Sequence, residues 1–241
     1  MTKALTFAVL AATALAASPA QAQNRTRTPP ANPSAVIAAE IGFARMAQEK
    51  GQWTAFRTHA AKDGVMFVPQ MVLAQDWLKN RADPPQAVNW QPHIVWSSCD
   101  GSLVASHGAW QGPSGAGYFT TIWQRQKKGE YRWVLDHGDT MAFPLDAPAM
   151  IQANVAECPS RDELRERARL LRERRKAKPA PFDPARRAGE SDDGSLAWEV
   201  TVTPEGARSV SVNWRKEGAM GPALLQSVEA PPAPTPAQPA R

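Results

Sequence analysis

The sequence predicts an α+β fold in which helices come first and an antiparallel meander follows. Two changes of period carry this expectation. From Asn32 to about Ala60, apolar residues recur every three to four positions; from Val88 to Phe143 they alternate. Turn signals at Asp100-Gly101 and Lys127-Lys128-Gly129 then divide the alternating region into hairpins.

Asn32 is placed to cap a helix whose first position is Pro33, where a missing N–H costs nothing. Val36, Ala39, Phe43, Met46 and Ala47 form one apolar stripe, and Gly51 ends the helix. Trp53, Phe56 and Ala60 continue on a shorter helix that stops near Asp63-Gly64. VMFVP (65–69) reads as a short strand, Ala74 to Asn80 as a small helix, and Pro84-Pro85 as a break. His93 to Ser98 and Leu103 to Trp110 pair across Asp100-Gly101 with Cys99 opposite Ser102. That register puts Ile94, Trp96, Leu103, Ala105 and His107 on one face. In the next hairpin the loop sets Trp123 opposite Trp133 and Thr121 opposite Leu135. Phe119, Thr121, Trp123, Tyr131, Trp133 and Leu135 then share a face that should meet the helices. Tyr118, Thr120, Ile122, Arg132, Val134 and Asp136 share the other.

Beyond this domain (33–145) the character changes. Ser160-Arg161-Asp162-Glu163 is a capping box that opens a basic helix over 161–178, within a linker assigned to 146–195. Leu196 to Val202 and Val210 to Trp214 alternate across TPEGAR, which predicts a hairpin over 196–216. Residues 217–241, rich in Pro and Ala, are expected to form a disordered tail.

The first residues, MTKALTFAVLAATALAASPAQAQ, read as a signal peptide cleaved after Ala22, followed by a leader over 23–32. No later run has the length of a transmembrane helix, so the expectation is a periplasmic or secreted protein without a transmembrane segment. In that compartment the two cysteines, Cys99 and Cys158, read as one disulfide. Between Arg161 and Arg187 there are 11 Lys/Arg against 5 Asp/Glu, more than the net +5 of the whole chain. Basicity is therefore local and gives no case for nucleic-acid binding.

The stretches AAEIGFARMAQEKGQWTAFRTHAAKDGVMF and GYFTTIWQRQKKGEYRWVLDHGD resemble the beginning and end of a nuclear transport factor 2-like domain, nearest its SnoaL-like bacterial branch. The resemblance covers about residues 33–142. It implies a curved sheet wrapped on the long helix as a cone with an interior cavity, and a possible homodimer through the sheet. Activity does not follow, because the superfamily hosts isomerases, hydrolases, cyclases and binding modules. Ketosteroid-isomerase-like members carry a Tyr on the first helix; here that helix has none, and Glu40 is its polar group beside the apolar stripe.

A His and a carboxylate converging in an apolar cavity would make a general base, and His107 with Asp136 or Asp139 is the candidate set. Glu40, Phe43, Trp53, Phe56, His59, Phe67, Trp96, Trp110 and Tyr118 are the candidate pocket residues, chosen from nine Trp, seven Phe and the polar groups among them. No metal site, cofactor motif or phosphate loop stands out. Three function classes remain: a binder of a small, largely apolar molecule, an isomerase-, hydrolase- or cyclase-type enzyme, and an envelope assembly or interaction module.

Overall fold

The computed structural model describes residues 31–231 apart from 179. The expected signal peptide, most of the expected leader and the end of the expected tail lie outside the described residues. Helix α1 (Pro33–Lys50) begins after Asn32 with Pro at its first position, and buries Val36, Glu40, Phe43 and Ala47. Helix α2 (Gln52–His59) ends where strand β1 (Ala60–Phe67) begins, earlier than the helical period suggested. The pairing of β1 is irregular between Ala60 and Val65, so Asp63-Gly64 marks a bulged stretch and not a helix end. After β2 (Met71–Leu73) and the short α3 (Ala74–Leu78) come β3 (Asn89–Ser97), β4 (Leu103–Gly112), β5 (Gly115–Arg125) and β6 (Tyr131–Met141).

Two strands fall in the segment expected to be linker. β7 (Gln152–Val155) runs parallel to β3, and β8 (Arg186–Glu190) pairs with β9 (Leu196–Val202). β9 pairs in turn with β10 (Arg208–Lys216) across the TPEGAR turn. The expected tail needs correction from its start. Glu217 and Gly218, both at positive φ, turn the chain into β11 (Ala219–Val228), which pairs along β10. Pro222 is tolerated because β11 is an edge strand and the register shifts beside it.

The strands form a seven-stranded sheet, ordered β2-β1-β6-β5-β4-β3-β7, and a four-stranded sheet, ordered β11-β10-β9-β8. Two cores follow. One lies between the helices and the first sheet, around Phe43, Ala55, Trp123 and Trp133. The other lies between the two sheets, where Val65, Leu103, Ile122 and Leu135 meet Leu196, Trp198, Val200 and Val212. The molecule is thus three layers deep, with the curved sheet in the middle. The outer face of that sheet, expected to offer a homodimer contact, is covered by the chain's own C-terminal strands.

The tryptophan pair holds as expected, Trp123 opposite Trp133, but Thr121 pairs with Asp136. Between these two pairings β5 advances two residues and β6 three, so β6 carries a bulge near Val134. Leu135 is thereby turned to the outer core beside Ile122, and Asp136 to the helix side beside Thr121. In the first hairpin Ile94 faces His107 and Trp96 faces Ala105, as the turn predicted.

Helix α4 (Arg161–Lys176) starts with the complete Ser160/Glu163 capping box. It leans on the second sheet: Arg167 and Arg174 both reach Glu190, and Arg215 reaches Glu163. The disulfide joins Cys99, in the β3–β4 turn, to Cys158 just before α4, with Cα atoms 5.1 Å apart.

Candidate functional site

A cavity of about 340 Å³ opens inside the cone, between α2, the β3–β5 strands and the end of β6. Its walls are aromatic: Phe56 from α2, Trp90 from β3, Trp110 from β4 and Phe119 from β5. Gln52, Ser114 and Thr140 give it polar edges, Asp136 supplies a carboxyl, and Asp139 contributes its backbone carbonyl. Rings placed this way are the default apolar envelope for a small molecule, with a few polar groups to orient it.

Each wall has a local cause. Trp90 and Trp110 pair directly across β3 and β4. Trp110 lies back over β5 because residue 117 is Gly: a Cβ there would come 2.6 Å from Trp110 Nε1 and 1.9 Å from the Asp139 carbonyl. The Trp110 indole N–H donates to that same carbonyl at 3.3 Å.

Glu40 stands behind the wall. Fully buried on α1, it accepts from Trp90 Nε1 at 2.9 Å, Trp123 Nε1 at 2.7 Å and Ser106 Oγ at 2.6 Å. Burial pushes its carboxyl above the usual range although all three donors pull the other way. It ties the helix to three strands and fixes the Trp90 ring that faces the cavity; it does not line the cavity itself.

Asp136 does line it. The Thr121 hydroxyl donates to its Oδ2 at 3.1 Å. Burial first, and the nearby Glu40 carboxyl second, push its pKa up to about 7. A carboxyl that changes charge near neutrality, in an aromatic cavity, can either donate or accept a hydrogen bond or a proton.

Of the sequence candidates, the cavity gathers Phe56, Trp110, Asp136 and Asp139. Phe43 is wholly buried in the core against Phe56 and Trp90. Trp53 meets Phe56 and Trp77 edge-to-face, with ring centroids 5.5 and 5.2 Å apart. His59 packs against Phe43 and Trp123, with Nδ1 3.0 Å from the Ala55 carbonyl and its pKa lowered by burial.

Phe67, Trp96, His107 and Tyr118 belong instead to the layer between the sheets, for the face alternation that put Trp96 and His107 together carries both away from the helices. His107 Nδ1 sits 3.1 Å from Thr120 Oγ1, whose hydroxyl donates to Gln226 Oε1. Thr120 and Thr121 point to opposite faces, so His107 and Asp136 are on opposite sides of the sheet and do not form the expected pair. His137 is also in this layer. Its Nδ1 accepts from Arg208 Nε at 3.1 Å, and burial together with that guanidinium holds its pKa down at about 3.

Sequence reasoning missed Trp90 and Phe119. Phe119 was on the correct face; Trp90 sits in NWQP, whose Pro92 and the register shift after it hide the strand signal. A wider groove of about 860 Å³ lies at the margin of the sheets, lined by Pro69, Pro184, Pro204 and loop residues, and has no aromatic ring. Among the described residues no group of three or more His, Cys, Asp or Glu could hold a metal, and no helix is long and apolar enough to cross a membrane.

No protein-family model matches the chain, and no curated protein matches it. Similar solved structures include a provisionally assigned ketosteroid isomerase from Parabacteroides distasonis, at 11% identity, covering 48% of this chain and 98% of that one with a TM-score of 0.37. A cystatin-like fold protein from Burkholderia xenovorans is 14% identical over 46% of this chain and 92% of its own, also at 0.37. An NTF2-like protein of unknown function from Pseudomonas putida is 15% identical over 47% and 94%, at 0.28. Likenesses this distant carry nothing about activity. By its element order and strand pairing the N-terminal half has the α+β cone arrangement that the sequence predicted.

Proposed function

We propose that this is an exported protein whose cone binds a small, largely apolar molecule, with Asp136 as the buried polar anchor. The observation that carries the reading is the enclosure of one titratable carboxyl by Phe56, Trp90, Trp110 and Phe119. Apolar walls provide affinity by area, while a single hydrogen-bonding group orients the ligand. Export is supported by the N-terminal signal pattern and by the Cys99–Cys158 bridge, a bond that persists in oxidising compartments. An assembly role through the sheet is disfavoured, since that face is occupied within the chain.

The test is native mass spectrometry on protein isolated from its own envelope, with parallel titration of the labelled Trp90 and Trp110 indole N–H signals by apolar alcohols. A retained small molecule, or shifts confined to those two indoles, supports the reading. The absence of both a retained mass and any indole shift overturns it.

One observation favours a second reading. A carboxyl with a pKa of about 7 suits proton transfer at neutral pH. In an enzyme, Asp136 in its ionised form would take a proton from a carbon acid and, once protonated, return it to the product. Deuterium exchange into cyclohexanone in D2O, faster with the wild type than with Asp136→Asn, would support this; equal rates would remove it.

A further inference from the structure

Resting on the small-molecule reading above, we infer that the cavity selects organic cations, small apolar molecules bearing a substituted ammonium, over neutral or anionic molecules of the same shape. Two properties of the wall point this way. Four aromatic rings, Phe56, Trp90, Trp110 and Phe119, line one space, and a ring whose face meets a cation attracts it through its π-system. The formal charge facing that space is the carboxyl of Asp136, since Asp139 meets it through its backbone carbonyl, and among the described residues no Lys or Arg lines it.

This imbalance runs against the chain as a whole, which carries 28 Lys and Arg against 23 Asp and Glu. The nearest arginine on the other side of β6, Arg208, is turned away: it donates to His137 Nδ1 and to the Gly138 carbonyl, and lies over the Phe67 ring. His137 is kept uncharged by burial and by Arg208, so it adds no positive charge either. An ammonium entering the cavity would meet rings and a carboxylate and no repelling group.

A neutral ligand gains only the apolar area. A carboxylate would face Asp136 with nothing to neutralise it, and desolvating two like charges together is unfavourable. The cation also stabilises the ionised form of Asp136, offsetting the burial that otherwise holds it protonated. Other titratable groups around Asp136 are Glu40 from α1, His59 from α2, and Asp139 and His137 from its own strand, with Arg208 behind β6.

The discriminating trio is choline, its carbon isostere 3,3-dimethylbutan-1-ol, and 3,3-dimethylbutanoate, each titrated at pH 8 against the Trp90 and Trp110 indole signals of the full chain. Choline is expected to bind about tenfold more tightly than the alcohol, the scale of a desolvated cation–π contact, and the butanoate least. In Asp136→Asn the choline preference is expected to shrink to a few-fold while the alcohol still binds, which also shows that the variant is folded. Equal binding of choline and the alcohol, or preference for the butanoate, overturns the inference and leaves the apolar-ligand reading standing. If none of the three moves either indole, the inference fails, and the alcohol series above decides the wider reading separately.

Discussion

Asp100 and Asp193 hold each other by their backbones: the N–H of Asp100 donates to Asp193 Oδ2 at 2.9 Å, and the N–H of Asp193 to Asp100 Oδ2 at 3.2 Å. The relation is part of a local dyad. SCDGSL (98–103) and SDDGSL (191–196) close the same way, each Asp Oδ1 accepting from the Ser before it and from the N–H and hydroxyl of the Ser after it. They also cross-brace, with Cys99 N–H donating to Ser195 Oγ and Asp192 N–H to Ser102 Oγ. Two turns 93 residues apart thus register the second sheet on the first.

Asp193 carries the more buried half, so Asp193→Ala leaves several donors without an acceptor. A loss of about 2–4 kcal/mol in urea unfolding is expected. Asp193→Asn keeps Oδ1 for the loop and replaces only the oxygen that faces Asp100, so its expected cost is smaller, about 1–2 kcal/mol. Equal costs would mean that the cross-brace, not turn closure, carries the energy.

Asp136 makes stability fall with rising pH. Its folded pKa of about 7 lies above the ordinary 3.8, so the folded chain holds this proton more tightly than the unfolded one. The contribution is fully present below about pH 4, is lost as pH climbs to about 7, and then is flat; it amounts to at most about 4 kcal/mol. Asp136→Asn should remove that slope. Urea midpoints at pH 5 and pH 8 should therefore differ more for the wild type than for the variant.

Glu40 couples to this titration. Glu40→Gln removes a charge that raises Asp136 and puts an amide NH2 where indole and hydroxyl donors point. The Asp136 carboxyl carbon, followed by NMR, should titrate at lower pH in the variant. Stability should drop by about 1–3 kcal/mol. An unchanged Asp136 midpoint would contradict the coupling.

Gly117→Ala tests the cavity wall from outside. The added methyl meets the Trp110 ring and the Asp139 carbonyl, so either the ring swings or the β5–β6 pairing opens. A loss of about 1–3 kcal/mol is expected, with weaker binding of the apolar alcohols and a shifted Trp110 indole signal.

Reduction tests the bridge. Cys99 and Cys158 are 59 residues apart, and reopening a loop of that size should lower stability by roughly 2–4 kcal/mol in thermal unfolding under reducing conditions.

Local chemistry made much of this legible. Asp100-Gly101 fixed the Ile94–His107 pairing, Lys-Lys-Gly set Trp123 against Trp133, and the Ser160 capping box started α4 where it stands. What stayed hidden was a matter of single residues and distant partners. The bulge near Val134 carries no composition signal, yet it exchanges the faces of Leu135 and Asp136 and so decides which acid reaches the cavity. The destination of the outer face was equally invisible, because alternation shows that a strand has two faces and not what covers each one. Trp96 and His107 were expected at the pocket for that reason, as was Tyr118 although alternation already set it on the face away from the helices, and β11 was lost behind a Pro-rich ending.

The C-terminal strands give the cone a permanent internal counterpart. Where such a surface is shielded by a second molecule, the shield departs on dilution; here the tether makes the encounter unimolecular, and no drop in concentration can uncover the cone. Even at vanishing abundance the chain would therefore keep the back of its cavity closed.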